Sequence, residues 1–338
     1  MSSQNHRLHY IPGVWLAKET LKNLKKLLKP HPKIKDEPLS ESSFPFKIGS
    51  KITAEEYNNF LQRKESSGYK YEHKTNGDVY VIDMSDPEHG TIVEVLRDYF
   101  NIANGGVIRN KPIRVSGDEC KRTPLVYLVL NLYIIDSQIF YIPLLVHYNP
   151  TVMGQFIASD VIVKPNGNHV QQPIVPYPGP PPGDKNGNPH ARIICEVANK
   201  QSIGNLRNKC QNWLNQVYVR YVLGIKLHEK RTTRDLQRRF YRSMTAMLFQ
   251  QGVPGYITWD FGTHQLGRPT DNAYLSGCNA PNIPAFQITI PVNAVFWDPP
   301  TIPAAAGYFP VVPPTVTLCN FTIDLFEIQQ EVLNQQEN

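Results

Sequence analysis

Between residues 50 and 230 the spacing of apolar positions changes period several times, and each change marks an element. "ITAEEYNNFLQRK" opens on Thr53 with Glu56 three residues later, the spacing of a capping box, and then sets Tyr57, Phe60 and Leu61 on one face. A helix near 53–63 is predicted. "GYKYEHKTNGDVYVIDMS" reads as two short strands around Asn76-Gly77, the pair that two-residue type I′ hairpins favour. In "DPEHGTIVEVLRDYF", Pro87 stands where a helix starts and Ile92, Val93, Val95, Leu96 and Phe100 turn inward, predicting a helix over 87–101. "GQFIASDVIVKPNG" predicts a strand centred on Asp160. A loop dense in Pro, Gly and Asn over 165–189 joins it to "IICEVA", Ile193 to Ala198, a short run that reads as a strand covered on both faces. "KQSIGNLRNKCQNWLNQ" returns to helical spacing over 201–215, with Ile203, Leu206, Cys210, Trp213 and Leu214 buried, and "VYVRYVLGIKL" is another buried strand.

This alternation predicts an α/β protein: a mixed α+β sheet flanked by helices, carrying Asp160 and Glu196 on adjacent strands. Three regions are expected. Residues 1–50 hold a short basic amphipathic helix, "WLAKETLKNLKKLLK", and a linker rich in proline and charge. Residues 51–245 form the main domain, and 246–338 a Pro-rich, β-containing C-terminal extension. Before the last of these lies "EKRTTRDLQRRFYRSM", an exposed arginine-rich segment whose plainest reading is a solvated helix. "PLVYLVLNLYIIDSQIFYIPLLVHY", residues 124 to 148, approaches membrane-spanning length. It contains Asn131, Asp136, Ser137, Gln138 and Pro143, and a central Asp is costly in hydrocarbon. Two buried strands turning at "DSQ" are expected there, and no membrane partner.

Composition narrows the class. At 338 residues and 41% hydrophobic, the chain can bury a substantial core, which excludes a wholly disordered protein. The net charge of +6 is compatible with a polyanionic partner without demonstrating one. Cys120, Cys195, Cys210, Cys278 and Cys319 form no C-x-x-C pair and are odd in number, which fits a reduced compartment without a disulfide framework or zinc ribbon. No apolar segment with a small-residue cleavage site opens the chain, so an intracellular rather than secreted protein is expected, in cytoplasm or nucleus.

The chemistry centres on Glu196, an isolated carboxylate in a buried strand, where an unpaired charge would be expensive. A structural cation could pair with it. So could a divalent metal shared with Asp160, since two acidic residues on neighbouring strands offer the oxygen ligands that magnesium takes.

The order of these motifs resembles the Uma-type restriction endonuclease family of the PD-(D/E)XK nuclease superfamily. "ITAEEY" is similar to that family's opening helix, and "YKYEHKTNGDVYVIDMSDPEHGTIVEVL" to its tyrosine-glutamate pair, glycine turn and Ser-x-x-His before a helix. "SDVIV" resembles its Pro-Asp-Val strand with Ser159 in place of proline; "IICEVANKQS" and "LRNKCQNWLNQVYVRYVLGIKL" resemble its Glu-Val strand, lysine-bearing helix and last strand. The likeness covers about residues 50 to 230 and is interrupted at 123–150. It implies a restriction-endonuclease-like core that binds Mg2+, or another divalent cation such as Mn2+, through Asp160, Glu196 and the carbonyl of Val197. Alanine stands at position 198, where the superfamily's Glu-x-Lys has lysine; the resemblance shifts that role to Lys209, with Lys200 as its rival. Gln201, Asn205 and Lys209 are four residues apart and would share one helix face. Glu72 matches the family's upstream strand glutamate. His89 falls on the Ser-x-x-His motif, although a helix-start histidine more often bonds backbone.

Two functions follow. One is a metal-dependent nuclease hydrolysing phosphodiester bonds, with DNA favoured over RNA, a homodimer allowed, and basic segments Lys22 to Lys35 and Arg231 to Arg242 contacting the backbone. The other is a non-catalytic nucleic-acid-binding or protein-interaction module on a degenerate nuclease fold.

Overall fold

The computed structural model describes residues 44–61, 69–84, 86–117, 159–171, 188–269 and 272–336, together with four two-residue strand fragments. The basic segment at 22–35 and most of the apolar insert lie outside these residues. Of the insert, β5 (Ile134–Ile135) and β6 (Gln138–Ile139) pair antiparallel, as do β7 (His147–Tyr148) and β8 (Phe156–Ile157). The first pair stands on either side of the expected turn at "DSQ", whose positions 136–137 lie outside the described residues. Among the described residues no helix is long and apolar enough to cross a membrane.

The predicted capping box forms. The Glu56 N–H donates to Thr53 Oγ1 at 3.2 Å, while the Thr53 N–H donates back to Glu56 Oε2 at 2.9 Å, starting α1 (Ala54–Leu61). Its apolar face packs on β1 (Phe46–Gly49), β2 (Tyr69–His73) and β3 (Val79–Met84), a three-stranded sheet in the order β1-β3-β2 with its own small core. The β2–β3 turn corrects one expectation. Gly77 has φ +81° but Asn76 is not left-handed, and the Gly77 N–H donates to the Lys74 carbonyl. The loop is therefore three residues ending on a left-handed glycine, not a type I′ pair, which needs positive φ at both central residues.

The larger sheet has six strands in the order β13-β12-β11-β10-β9-β4. These are β4 (Ile113–Gly117), β9 (Val161–Pro165), β10 (Ile193–Ala198), β11 (Tyr221–Leu227), β12 (Ser243–Gln250) and β13 (Ile257–Gly262). Only β10 and β11 run parallel; the other neighbours are antiparallel, so the sheet is mixed and flanked by helices, as expected. The parallel pair requires a crossover, and α3 (Ile203–Leu214) supplies it.

Alternation along the strands divides the core. Val161, Val163, Ile193, Cys195, Val197, Leu223 and Ile225 face α2 (Pro87–Ile102). Ile162, Ile194, Val222, Met247 and Phe249 face α3, through Leu206, Cys210 and Trp213. Each such aliphatic or aromatic side chain contributes about 1.5–3 kcal/mol when fully buried.

The C-terminal region differs from the expected extension. The boundary at 245 runs through β12, and both β12 and β13 belong to the main sheet. Farther on, β14 (Gln287–Pro291) pairs with β15 (Asn320–Asp324), and "LFEIQQEVLN" forms a helix, α4 (Leu325–Asn334), that the β and proline signals around it concealed. Ile288, Phe321, Ile328 and Val332 share one apolar cluster with Ile92, Leu96 and Phe100 of α2. The arginine-rich segment is also not a helix. It is a turn-rich excursion in which Arg234 bridges Phe240 and Arg239 pairs with Asp235 at 2.8 Å.

At the end of β11, His228 lies within hydrogen-bond range of Thr245 Oγ1. Burial, reinforced by the charges of Lys226, Arg242 and Arg231, lowers its pKa from 6.5 to about 4. The unfolded chain takes up this proton near pH 6.5 and the folded protein only near 4, so stability falls as pH falls through that window. With allowance for its partial exposure, the loss is about 2 kcal/mol by pH 4. His228→Gln should flatten the dependence of Tm on pH between 6.5 and 4 relative to wild type; parallel curves would assign the loss to other groups.

Candidate functional site

The antiparallel register of β9 and β10 pairs Val163 with Ile193, Ile162 with Ile194 and Val161 with Cys195. One step further places Asp160 opposite Glu196. Asp160 therefore lies in the bend just before β9, not at the centre of the strand as expected. Both carboxylates are buried, Asp160 at 4% exposure and Glu196 at 1%. By alternation, Glu196 is on the α3 face of the sheet. Its neighbour in register on β11 is Gly224, where a Cβ would come within 2.9 Å of Cys210 Sγ on α3. The missing side chain lets α3 lie close over Glu196.

That helix supplies the partners of Glu196. Lys209 Nζ donates to its Oε2 at 2.8 Å and the Trp213 indole N–H donates to its Oε1 at 2.6 Å. Lys209 and Trp213 are four residues apart and so occupy one face. Burial pushes the Glu196 carboxyl up, with the Asp160 charge acting in the same direction; Lys209 and Lys70 oppose it without cancelling it.

Asp160 is held differently. Lys70 Nζ on β2 lies 2.5 Å from Asp160 Oδ2 and 2.5 Å from the Val197 carbonyl oxygen. The Val197 N–H donates to Asp160 Oδ2 at 2.7 Å, and His89 Nε2 lies 3.2 Å from Oδ1. Burial alone would raise the Asp160 pKa, but Lys70 and His89 hold it well below the usual carboxylate range. For Lys70, burial opposes the charge while Asp160, Glu196 and Asp83 outweigh it and raise the pKa. Two cations and two carboxylates thus form one buried, charge-balanced cluster, with His89 at its edge.

The structure thus brings together Asp160, Glu196, the Val197 carbonyl and Lys209 of the residues expected from sequence. His89 joins them from the start of α2, while its backbone N–H donates to the N-cap Asp86. Three of the residues singled out in the sequence lie outside this cluster. Glu72 is at the other end of β2, its side chain 41% exposed and paired with Lys74 at 2.6 Å. Lys70 takes the place expected of it, and a register shift between Lys70 and Tyr71 interrupts the pairing with β3 between the two residues. Gln201 precedes the N-cap Ser202, so it is buried in the connection and not on the helix face with Lys209. Lys200 lies outside the cluster, its backbone N–H donating to Asp83 Oδ1 at 2.6 Å. Sequence reading also missed Trp213 as a partner of Glu196, although its place one turn beyond Lys209 was visible.

Among the described residues no three His, Cys, Asp or Glu side chains come together as a metal-ligand set. The oxygen donors here are two carboxylates and a backbone carbonyl. Asp160 Oδ2 and the Val197 carbonyl do converge on one cation, the Lys70 ammonium, so these donors suit a cation provided that Lys70 yields its place. Comparison with protein-family models, with curated proteins and with solved structures finds no match.

Proposed function

We propose that this protein is a metal-dependent nuclease that hydrolyses phosphodiester bonds, with Asp160, Glu196 and the Val197 carbonyl as the cation's ligands. One observation carries the reading. Oxygens from β10 and from the bend just before β9, Val197 O and Asp160 Oδ2, meet on a single positive charge beside a second buried carboxylate. A divalent cation bound there would activate water and neutralise charge on the scissile phosphate. The chain's own residues prepare the rest. Lys209, fixed by Glu196, presents a positive charge where a phosphate oxygen would carry developing negative charge. Trp213 orients the Glu196 carboxylate, and His89 steadies Asp160 from the opposite side.

A second reading rests on the same contacts. With Lys70 on Asp160 and Lys209 on Glu196, the cluster is neutral without a metal, which suits a non-catalytic module.

Supercoiled plasmid and single-stranded oligonucleotides incubated with Mg2+ or Mn2+ separate the two. The nuclease reading expects cation-dependent cleavage that Asp160→Asn and Glu196→Gln each abolish. The double variant should be no worse than either single, because parts of one catalytic unit are not additive. Cleavage that survives Asp160→Asn would place the chemistry elsewhere. Nucleic-acid binding without cleavage under every cation would favour the second reading.

A further inference from the structure

The two edges of the large sheet differ. β4 begins closed: the Asn104 side chain accepts from the Ile113 N–H at 3.0 Å and donates to the Ile113 carbonyl at 3.1 Å, and the exposed Arg114 follows. β13, at the other edge, is paired only with β12. The bonds of β12 fix which way the backbone of β13 points. The Ser243 carbonyl accepts from the His228 N–H and the Gln251 N–H donates to the Arg220 carbonyl, so the odd-numbered residues of β12 bond toward β11. Met244, Ala246 and Leu248 therefore bond toward β13, where their partners in register are Phe261, Trp259 and Ile257. Thr258 and Asp260 are left with their backbone N–H and C=O groups pointing away from the sheet. Among the described residues those groups have no partner.

An open edge is a template for another strand, and edges are ordinarily blunted by lysine, proline or a bulge. From Ile257 to Phe261, β13 has none of these: it reads Ile-Thr-Trp-Asp-Phe in unbroken register with β12. Apolar side chains lie beside it. Ile257 is 60% exposed and Tyr256 42%, and Leu266, 43% exposed, is tied to the strand by donating its N–H to Asp260 Oδ2 at 2.9 Å. Asp260 is the strand's one charge, and it decides how the strand could pair with a copy of itself. An antiparallel pairing centred on Asp260 would set two carboxylates opposite each other. Centred on Thr258, the pairing would run into Pro254, which has no N–H to give. Centred on Trp259, it sets Thr258 opposite Asp260 of the copy on both sides of the axis. Each such pair exchanges both its N–H···O bonds, because these are the residues that point outward. Ile257 then lies beside Phe261 of the copy and Trp259 beside Trp259, on the face where Trp259 already packs against the main core.

We propose that β13 joins two copies of this chain, antiparallel about a twofold axis through Trp259, so that the large sheet continues from one copy into the other. The interface is isologous, the same residues on both sides, and closes on itself. It is independent of the chemistry at Asp160 and Glu196.

Sedimentation equilibrium of the full chain, at concentrations up to about 100 μM, should give twice the monomer mass. Thr258→Asp sets a carboxylate opposite Asp260 on both sides of the axis and should raise the dimer dissociation constant about tenfold. Adding Asp260→Asn, which keeps an acceptor for the Leu266 N–H, should restore the dimer. The register through Trp259 is the one that brings position 258 opposite 260, so failure of this rescue would overturn the proposed pairing. Thr258→Pro removes an N–H that β12 does not use and should leave a monomer with Tm little changed. In the wild-type dimer the Thr258 and Asp260 amides should be protected from hydrogen exchange. A wild type that is monomeric throughout would overturn the proposal, and amides protected in that monomer would show that another part of the same chain covers the edge. A dimer indifferent to both Thr258→Asp and Thr258→Pro would place the contact elsewhere and overturn it as well.

Discussion

Replacing Lys70 by methionine is expected to destabilise the protein by about 3–5 kcal/mol, the range for removing one member of a buried ion pair. Methionine keeps most of the apolar stem and so isolates the loss of the ammonium. Asp160 would then retain the Val197 N–H and the His89 ring but no permanent cation bonded to it directly. Tm should fall by roughly 10 °C. The nuclease reading adds a second outcome. With Lys70 gone, Asp160 Oδ2 and the Val197 carbonyl no longer hold an ammonium, and Mg2+ or Mn2+ should recover part of the loss. At a hundredfold excess over its dissociation constant, a ligand specific to the folded state returns about 2.7 kcal/mol. Wild type should gain less, because its own ammonium competes for the same oxygens. Melting curves of both proteins with and without MgCl2, at constant ionic strength, give the comparison. A Lys70→Met variant that stays destabilised at every cation concentration would mean that the site accepts only its own lysine, and would favour the non-catalytic module.

The fold was legible where local pattern and tertiary demand coincide. Thr53 and Glu56 cap α1 as their spacing predicts, and the helices over 87–102 and 203–214 lie within a residue or two of expectation. Glu196 was legible as a buried charge needing a partner because its neighbours in sequence are all apolar. The identity of that partner was only half legible: Lys209 was expected near the site, but as a catalytic lysine beside a metal rather than as the direct partner of Glu196. Lys70 was not found because Lys70 and Glu72 both stand in one short strand, and alternation cannot say which of two charged residues meets a strand ninety positions away. Gln201 was misplaced by two residues of helix start, enough to remove it from the Lys209 face. The arginine run was read as one solvated block, yet its last member, Arg242, adjoins the buried strand β12 and is itself 1% exposed.

That arginine carries the second large expected effect. Its Nε donates to the His228 carbonyl at 2.6 Å, one Nη to Asn199 Oδ1 at 2.6 Å, and the other to Glu88, which is 3% exposed. The contact ties the first turn of α2 to the start of β12. Asn199, one residue beyond β10, joins it to Lys226 on β11, whose Nζ donates to the Asn199 carbonyl at 2.8 Å. Four elements at the carboxylate-bearing end of the sheet are thus linked through one guanidinium. Glu88→Gln leaves the buried Arg242 without its carboxylate partner, and should cost about 3–5 kcal/mol. Arg242→Met should cost less, because Lys230 lies 3.0 Å from Glu88 Oε1 and can keep the carboxylate paired. Combining the two removes both charges together, so the double variant should be more stable than the sum of the singles predicts, by about 1–3 kcal/mol of coupling. Urea denaturation of the four proteins yields this cycle directly. Additive losses would show that Glu88 and Arg242 act independently, and a larger loss for Arg242→Met than for Glu88→Gln would mean that the exposed Lys230 does not compensate.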